Sequence, residues 1–516
     1  MRWKKILSHP ILLLLTISAA AYLPLIGQIG PTNDDWYLMY AAGAKGAGIF
    51  RAIYAVDRPL RALVMIPAYW LFGANPLYYN LSAFVFRILS AFGFLWLLRM
   101  LWPRARTATA WMSLLFLIYP GFLSQLNGID YQSQMVALAA AMFSLAFTVC
   151  ALTAEKFWHR LGLLVAATLL GWLYLGLVEY FLGFEAVRLF LVFLWTTRTN
   201  GTFLQKISRT FRLWIPTLPI AGLFLVWRIF LFQSERGATD LGQQLGQWSL
   251  SPLATGLWWL VRLAQDVLNV LVLAWGVPLT RLAFEMRLSH ALIGLALALV
   301  SAGLAWWFTR TSEKMSVEEE PDNWRSEALW LGLVSILAGL LPVILVNRHI
   351  VFPQYSRYAL AGSIGAAMVL AAFAWSLRGR AVRMAFLSLL VFVSALTHFA
   401  NNVRAAQETA AMRNFWWQVS WRAPQFEVGT TLVAHYALGA TEEDYFIWGP
   451  ANLIYYPAGT NPDYVQPGIQ AAVLNDETID FAGFEGVDQA RAGVETHEAH
   501  LPRQAATAQR QQHSEG

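Results

Sequence analysis

Residues 31–37 read Pro31-Thr32-Asn33-Asp34-Asp35-Trp36-Tyr37, and a second polar knot follows at Asp57-Arg58-Pro59-Leu60. The first knot lies just beyond an apolar run, about 6–27, long enough to cross a bilayer. Adjacent carboxylates at a membrane surface are costly unless they are solvated, paired or bound to a metal. Chemistry is therefore expected first in the loop from about 30 to 60.

The rest of the chain agrees with a membrane reading. Hydrophobic residues make up 57% of its 516 residues and charged residues only 13%, against roughly 25% charged in a soluble domain. Its 24 Trp, 32 Phe and 18 Tyr supply the rings that collect at bilayer interfaces. The net charge of +6 comes from basic residues in short connections between apolar runs. That placement orients spans and argues against a nucleic-acid partner. The one cysteine, Cys150, lies inside an apolar run, so no disulfide framework or Cys metal motif is expected. Arg2, Lys4 and Lys5 ahead of an apolar stretch imitate a signal peptide, but the run continues through Tyr22 to Ile26 and reads as an uncleaved first helix.

Applied along the chain, the positive-inside rule places the double-Asp loop outside the cytoplasm. The stretch from Arg58 to Phe72 reads as a helix lying at the outer interface. Spans are expected at about 76–102, 108–126, 132–153 and 213–232, with two short apolar helices over 161–196 hinged at Glu179-Tyr180. The interrupted stretch 252–285, with Arg262, Asp266, Arg281 and Glu285, reads as a re-entrant or interfacial hairpin. Further spans are expected at 289–309, 328–346, 358–377 and 382–400.

The expected whole is an all-α polytopic membrane protein with about 11–13 transmembrane helices in a domain over 1–400. A small mixed appendage outside the cytoplasm follows at 401–465, then a disordered tail over 466–516. His497, His500 and His513 in that tail read as incidental. The run Gly43-Ala44-Lys45-Gly46-Ala47-Gly48 lacks the Lys-Ser/Thr ending of a phosphate-cradling loop.

Four polar clusters share the outer side in this topology: Asp34-Asp35, Asp57-Arg58, Asp130, and the stretch Asn347-Arg348-His349 through Arg357-Tyr358. Glu179 lies near the same face, although a structural pair with Arg188 is the plainer reading. Arg262 and Asp266, four apart, read as a helix-face pair. Acids and guanidinium groups at one interface suit a polyprenyl phosphate, whose tail sits in lipid and whose phosphate meets the planar fork of Arg. A carboxylate opposite could deprotonate an acceptor hydroxyl or hold a divalent metal ion.

One apolar helix, an outer loop with an acidic pair, a basic-Pro-Leu helix ending in Leu71-Phe72-Gly73, and a span carrying Arg87 follow one another here. This order resembles the start of the GT-C membrane glycosyltransferases, most closely the protein O-mannosyltransferase and lipid A aminoarabinose transferase group. Tyr119-Pro120-Gly121-Phe122 followed by Asp130, and Arg357-Tyr358-Ala359-Leu360, are similar to two further family signatures. The resemblance covers about residues 5–400 and departs from the family where Asp57-Arg58-Pro59-Leu60 replaces Lys-Pro-Pro-Leu.

It implies a GT-C-like fold and sugar transfer from a polyprenyl-phosphate donor to a glycan, lipid or protein acceptor. The setting it implies is a multi-pass protein of a prokaryotic plasma membrane, with active site and C-terminus outside. Asp35 or Asp34 then takes the role of base or metal contact, with Asp35 favoured for its place beside Trp36-Tyr37, and Asp130 acts as a supporting acid. Arg58, Arg357 and Tyr358 take the donor phosphate, and Glu179, Arg348 and His349 are further candidates. A transporter or flippase of lipid-linked sugars is the alternative, against which stands the lack of repeated halves. A non-catalytic scaffold is a third reading, and it leaves the polar clusters unexplained.

Overall fold

The computed structural model describes residues 9–232, 246, 248, 249, 251–315, 323–435, 444–461, 463 and 465–474. Ten helices among them are long and apolar enough to cross a membrane, and the only sheet among the described residues is one pair of strands. The chain is an all-α polytopic membrane protein. In order, the helices are α1 (Pro10–Tyr22), α2 (Asp35–Lys45), α3 (Ile49–Ala55), α4 (Arg61–Phe72), α5 (Pro76–Leu101), α6 (Arg106–Leu117) and α7 (Gly128–Thr153). Then come α8 (Phe157–Leu177), α9 (Gly183–Thr197), α10 (Phe203–Trp214), α11 (Leu218–Val226), α12 (Pro252–Leu271) and α13 (Val277–Ala283). Last are α14 (Leu288–Met315), α15 (Trp324–Leu345), α16 (Ser363–Ser376), α17 (Arg380–Arg422), β1 (Thr430–His435), α18 (Tyr445–Tyr455) and β2 (Ile469–Leu474).

Ten long helices fall below the expected 11–13 because two expected spans are short. Residues 108–126 contribute only the 12-residue α6, stopped before Tyr119-Pro120-Gly121, and α6 is buried from Thr107 to Leu117. Residues 358–377 contribute the 14-residue α16, because Ser356–Ala359 form a 3-10 turn first. The hairpin expected over 252–285 is instead one continuous 20-residue helix, α12, followed by the 7-residue α13. Arg262 does not pair with Asp266 there. Arg262 donates to Gln265 at 2.8 Å, while Asp266 accepts from the Ile350 amide and from Asn269. The hinge expected at Glu179-Tyr180 is present as a 3-10 turn, Glu179–Leu182, between α8 and α9.

The chain divides into two compact units. One comprises the described residues of 1–26, 81–126 and 131–404; the other comprises those of 27–80, 127–130 and 405–516. In the first, small residues let helices approach closely, as is common where lipid supplies no hydrophobic drive between helices. A Cβ on Gly183 would overlap the Ala338 carbonyl oxygen, and one on Gly365 would overlap that of Gly332. Some of the buried charge in this unit is paired. Arg188, fully buried, meets Glu185 at 2.9 Å and donates to Ser144 Oγ at 2.8 Å and to Thr148. Tyr174 donates to the same Glu185. Arg188 is thus engaged by Glu185, not by Glu179 as expected.

In the second unit the loop region after α1 and the C-terminal segment pack as one body. α17 runs 43 residues to Arg422, past the expected end of the membrane pattern near His398. At 1.5 Å per residue it is about 64 Å long, twice the ~30 Å hydrocarbon thickness. β1 and β2 pair in parallel, from Thr430 opposite Ile469 to His435 opposite Leu474. β2 therefore occupies the start of the expected tail; 475–516, with the three tail histidines, lie outside the described residues. Buried Asn452 holds α18 to β2, donating to Ile469 O at 2.7 Å and accepting from Gly468 N at 2.7 Å. α18 packs on α2, where a Cβ on Gly449 would sit 2.7 Å from the Cβ of Trp36. Tyr40 of α2 donates to Gln466 O at 3.0 Å.

Candidate functional site

The site builds from the start of α7 in the second unit. A helix N-terminus leaves backbone N–H groups without intrahelical partners. Here two of them are satisfied by side chains from elsewhere. Gly128 N–H donates to Asn80 Oδ1 at 3.0 Å, and Asp130 N–H donates to Asp35 Oδ1 at 3.1 Å. Gly128 has no room for a Cβ, which would overlap Asn80. Asp35 opens α2, and its second oxygen accepts from Thr32 N–H at 2.9 Å. The Asn127 amide, turned so that its nitrogen faces Asp35, donates to both carboxylate oxygens at 2.9 and 2.6 Å.

Asp35 is 1% exposed. Burial pushes its carboxyl well above the usual carboxylate range, and the nearby charges of Asp130 and Asp34 add to that. The N–H groups of Thr32 and Asp130 work the other way without overcoming the burial. Asp35 is therefore a cap for α7 supplied from far away in the sequence, and its burial strengthens its hold on a proton.

Asp130 itself is paired. Arg61 Nη2 reaches its Oδ1 at 2.5 Å and its backbone oxygen at 2.6 Å. The guanidinium carbon of Arg61 lies 4.6 Å from the centre of the Tyr54 ring. Burial opposes the charge on Arg61, but Asp130, Tyr54 and Asp57 outweigh it and hold the guanidinium protonated. Asp57 is buried, while Asp34 is only half-buried and accepts from Tyr445 Oη at 2.7 Å. Arg58, half-buried, makes no side-chain hydrogen bond or ion pair among the described residues.

A divalent ion does not fit at Asp35. N–H groups already point at both of its oxygens and would face the cation. Among the described residues no group of three or more His, Cys, Asp or Glu side chains is placed to hold a metal.

The other expected residues lie in the first unit. Arg357 donates to Tyr131 Oη at 2.8 Å and to Tyr358 Oη at 3.4 Å. Its guanidinium carbon sits 5.3 and 5.1 Å from the centres of the Tyr355 and Tyr358 rings. Burial works against its charge, yet Tyr131 and Tyr358 raise its affinity for the proton further, and no acid pairs with it among the described residues. Glu179 accepts from Arg228 Nε at 3.1 Å, an ion pair between two apolar segments. Arg348 is exposed, and His349 lies against Trp258, where burial and then the charge of Arg262 lower its affinity for a proton.

The structure thus brings Asp34, Asp35, Asp57, Arg58 and Asp130 into one unit and holds Glu179, Arg348, His349, Arg357 and Tyr358 in the other. Three site residues escaped the sequence. Arg61, the first residue of α4, was not separated from the other basic residues of the connections between apolar runs. Asn127 stands immediately before α7, where capping residues gather. Tyr445 carried no local signal at all. No known family model matches the chain, and no curated protein matches it.

Proposed function

We propose that the protein is a membrane glycosyltransferase that moves a sugar from a polyprenyl-phosphate donor to an acceptor outside the cytoplasm. The observation that carries the reading is the acid cluster at the start of α7, where half-buried Asp34 and Arg61-paired Asp130 both act on the carboxyl of Asp35. Asp34 is the base. Asp35 cannot take that role easily, since both its oxygens accept hydrogen bonds and 1% of it is exposed. It orients the loop instead. The acceptor hydroxyl oxygen attacks the anomeric carbon, the bond from that carbon to the phosphate oxygen breaks, and the proton passes to Asp34. The lipid phosphate leaves with the electron pair. Arg58, with its donor fork uncommitted among the described residues, is the contact for that phosphate. Arg357, without an acid partner, is kept as an anion contact of its own unit.

The test compares two conservative variants in lipid nanodiscs supplied with polyprenyl-phosphate sugars. Asp34→Asn abolishes sugar release from the lipid while helical content stays unchanged. Loss in Asp35→Asn with full activity in Asp34→Asn would move the base to Asp35; full activity in both would overturn the enzyme reading.

A transporter of lipid-linked sugars is the second reading. It is favoured by fully buried Arg87 in an apolar helix, which donates to Leu117 O and Phe116 O and meets no acid among the described residues. Translocation into vesicles without acceptor, and without cleavage of the sugar, would establish it over the transferase.

A further inference from the structure

α10 lies in the first unit, outside the acid cluster. At about 100° per residue, Phe203, Leu204, Ile207, Phe211 and Trp214 share one arc of this helix. Gln205, Ser208, Arg209 and Arg212 share an arc on the other side. Phe203, Leu204 and Phe211 are exposed. An open apolar arc and an arginine arc on one short helix suit the boundary where lipid tails meet headgroups.

The helix is held at such a boundary. Lys206 donates to Thr197 O at 2.9 Å, and the hydroxyls of Thr210 and Thr196 meet at 2.6 Å. Both contacts fall on the last two residues of α9, so α10 lies across that helix end. Arg198, in the turn between the two helices, donates to Leu101 O at 2.9 Å and pairs with Glu327. Leu101 ends α5, and Glu327 sits in the first turn of α15. Three apolar helices therefore end at this level. The apolar stretch Phe203–Leu231 has 29 residues, about 14 Å more helix than the ~30 Å hydrocarbon needs. That surplus is close to the length of α10 as far as Arg212.

The polar arc has the chemistry of an anion site. Gln205, Ser208, Arg209, Arg212 and Leu213 line a hollow of about 480 Å³. Arg209 and Arg212 are exposed and make no side-chain hydrogen bond or ion pair among the described residues. Their planar forks match the oxygens of a phosphate. Gln205 Oε1 accepts from Thr202 N–H at 3.0 Å in a capping box, which leaves the amide nitrogen to donate. The sequence has no Asp or Glu from Ala186 to Ser234. A zwitterionic headgroup would bring its ammonium against two guanidinium groups with no nearby acid to receive it, whereas a headgroup of net negative charge meets only donors.

We propose that α10 is a binding site for an anionic phospholipid. Arg209 and Arg212 hold its phosphate in the hollow, and its acyl chains pass Leu213 into the bilayer. The site is independent of the transferase reading.

The experiment titrates the full-length protein in detergent with phosphatidylglycerol or phosphatidylcholine and counts bound lipid by native mass spectrometry. Phosphatidylglycerol is expected to bind about tenfold or more tighter. Arg209→Gln/Arg212→Gln should bring the two lipids level. Ser208→Glu, at an exposed position in the same hollow, should weaken phosphatidylglycerol as well. Lys156→Gln, an exposed cation ahead of α8, should leave the preference intact. Equal affinity for the two lipids overturns the site. So does a preference that survives both changes in the hollow, or one lost equally in Lys156→Gln. Displacement of the lipid by inorganic phosphate or by polyglutamate at the lipid's own concentration would give the hollow to a free anion or an acidic protein, and would overturn it too.

Discussion

Tyr445 Oη donates to Asp34 Oδ1 at 2.7 Å, joining a helix of the C-terminal segment to the acid of the first loop across 411 residues of sequence. The ring of Tyr445 also meets Tyr37 edge-on at 5.7 Å, so the hydroxyl is aimed by packing. Hydrogen bonds to charged groups contribute about 1.5–3 kcal/mol. Tyr445→Phe keeps the ring and removes only that bond. It is expected to lower sugar transfer by roughly tenfold or more and the thermal midpoint by only a few degrees. An unaltered rate would mean that Asp34 is not the group being positioned.

The Arg61–Asp130 pair gives a stability prediction. Both side chains are nearly enclosed, at 10% and 14% exposure. Removing one partner of a buried pair costs about 3–5 kcal/mol, because the other charge stays behind without compensation. Arg61→Met should therefore lower the melting temperature sharply in detergent. The double variant Arg61→Met/Asp130→Leu should recover much of the loss. If the single and double variants melt together, the pair is not what holds α4 to the start of α7.

The proton on Asp35 sets a pH dependence. The unfolded chain releases it near 3.9, whereas burial holds it to higher pH in the folded protein. Between those two values the folded state binds more protons than the unfolded one, so stability falls as pH rises through that window. Asp35→Asn removes this titration. Its melting temperature should decline less than the wild type's between pH 4 and neutrality. Parallel curves for the two proteins would show that Asp35 is ionised in the fold.

Helix packing in the first unit is testable at Gly183. A methyl group there would meet the carbonyl of Ala338, a backbone atom that cannot turn aside. Overpacking typically costs about 1–3 kcal/mol. Gly183→Ala should reduce the yield of folded protein and its melting temperature, while Gly222→Ala, on an open face, should change neither.

Legibility differed by scale. Long apolar runs such as Pro76–Leu101 and Gly128–Thr153 are visible because lipid demands continuous hydrophobicity and internal backbone hydrogen bonding. The hinge at Glu179 was visible for the same reason, as a charge set between two such runs. The short α6 was not. A fully buried helix reads as apolar all round, so composition alone does not separate it from a span. The continuous α12 was misread because Arg262 and Asp266 suggest a break, whereas each finds a partner three residues along the helix, Gln265 and Asn269.

From its own residues the chain determines a polytopic helical protein and a polar loop at Asp34-Asp35, because apolar length and charge placement are properties of sequence. It does not determine which acid faces outward. Neighbouring residues at a helix start differ by about 100° in direction, and the start of α7 drew Asp35 inward to cap its N–H groups while Asp34 turned toward Tyr445. That choice depended on a helix almost a hundred residues away and a tyrosine more than four hundred away, which only the tertiary structure brings together.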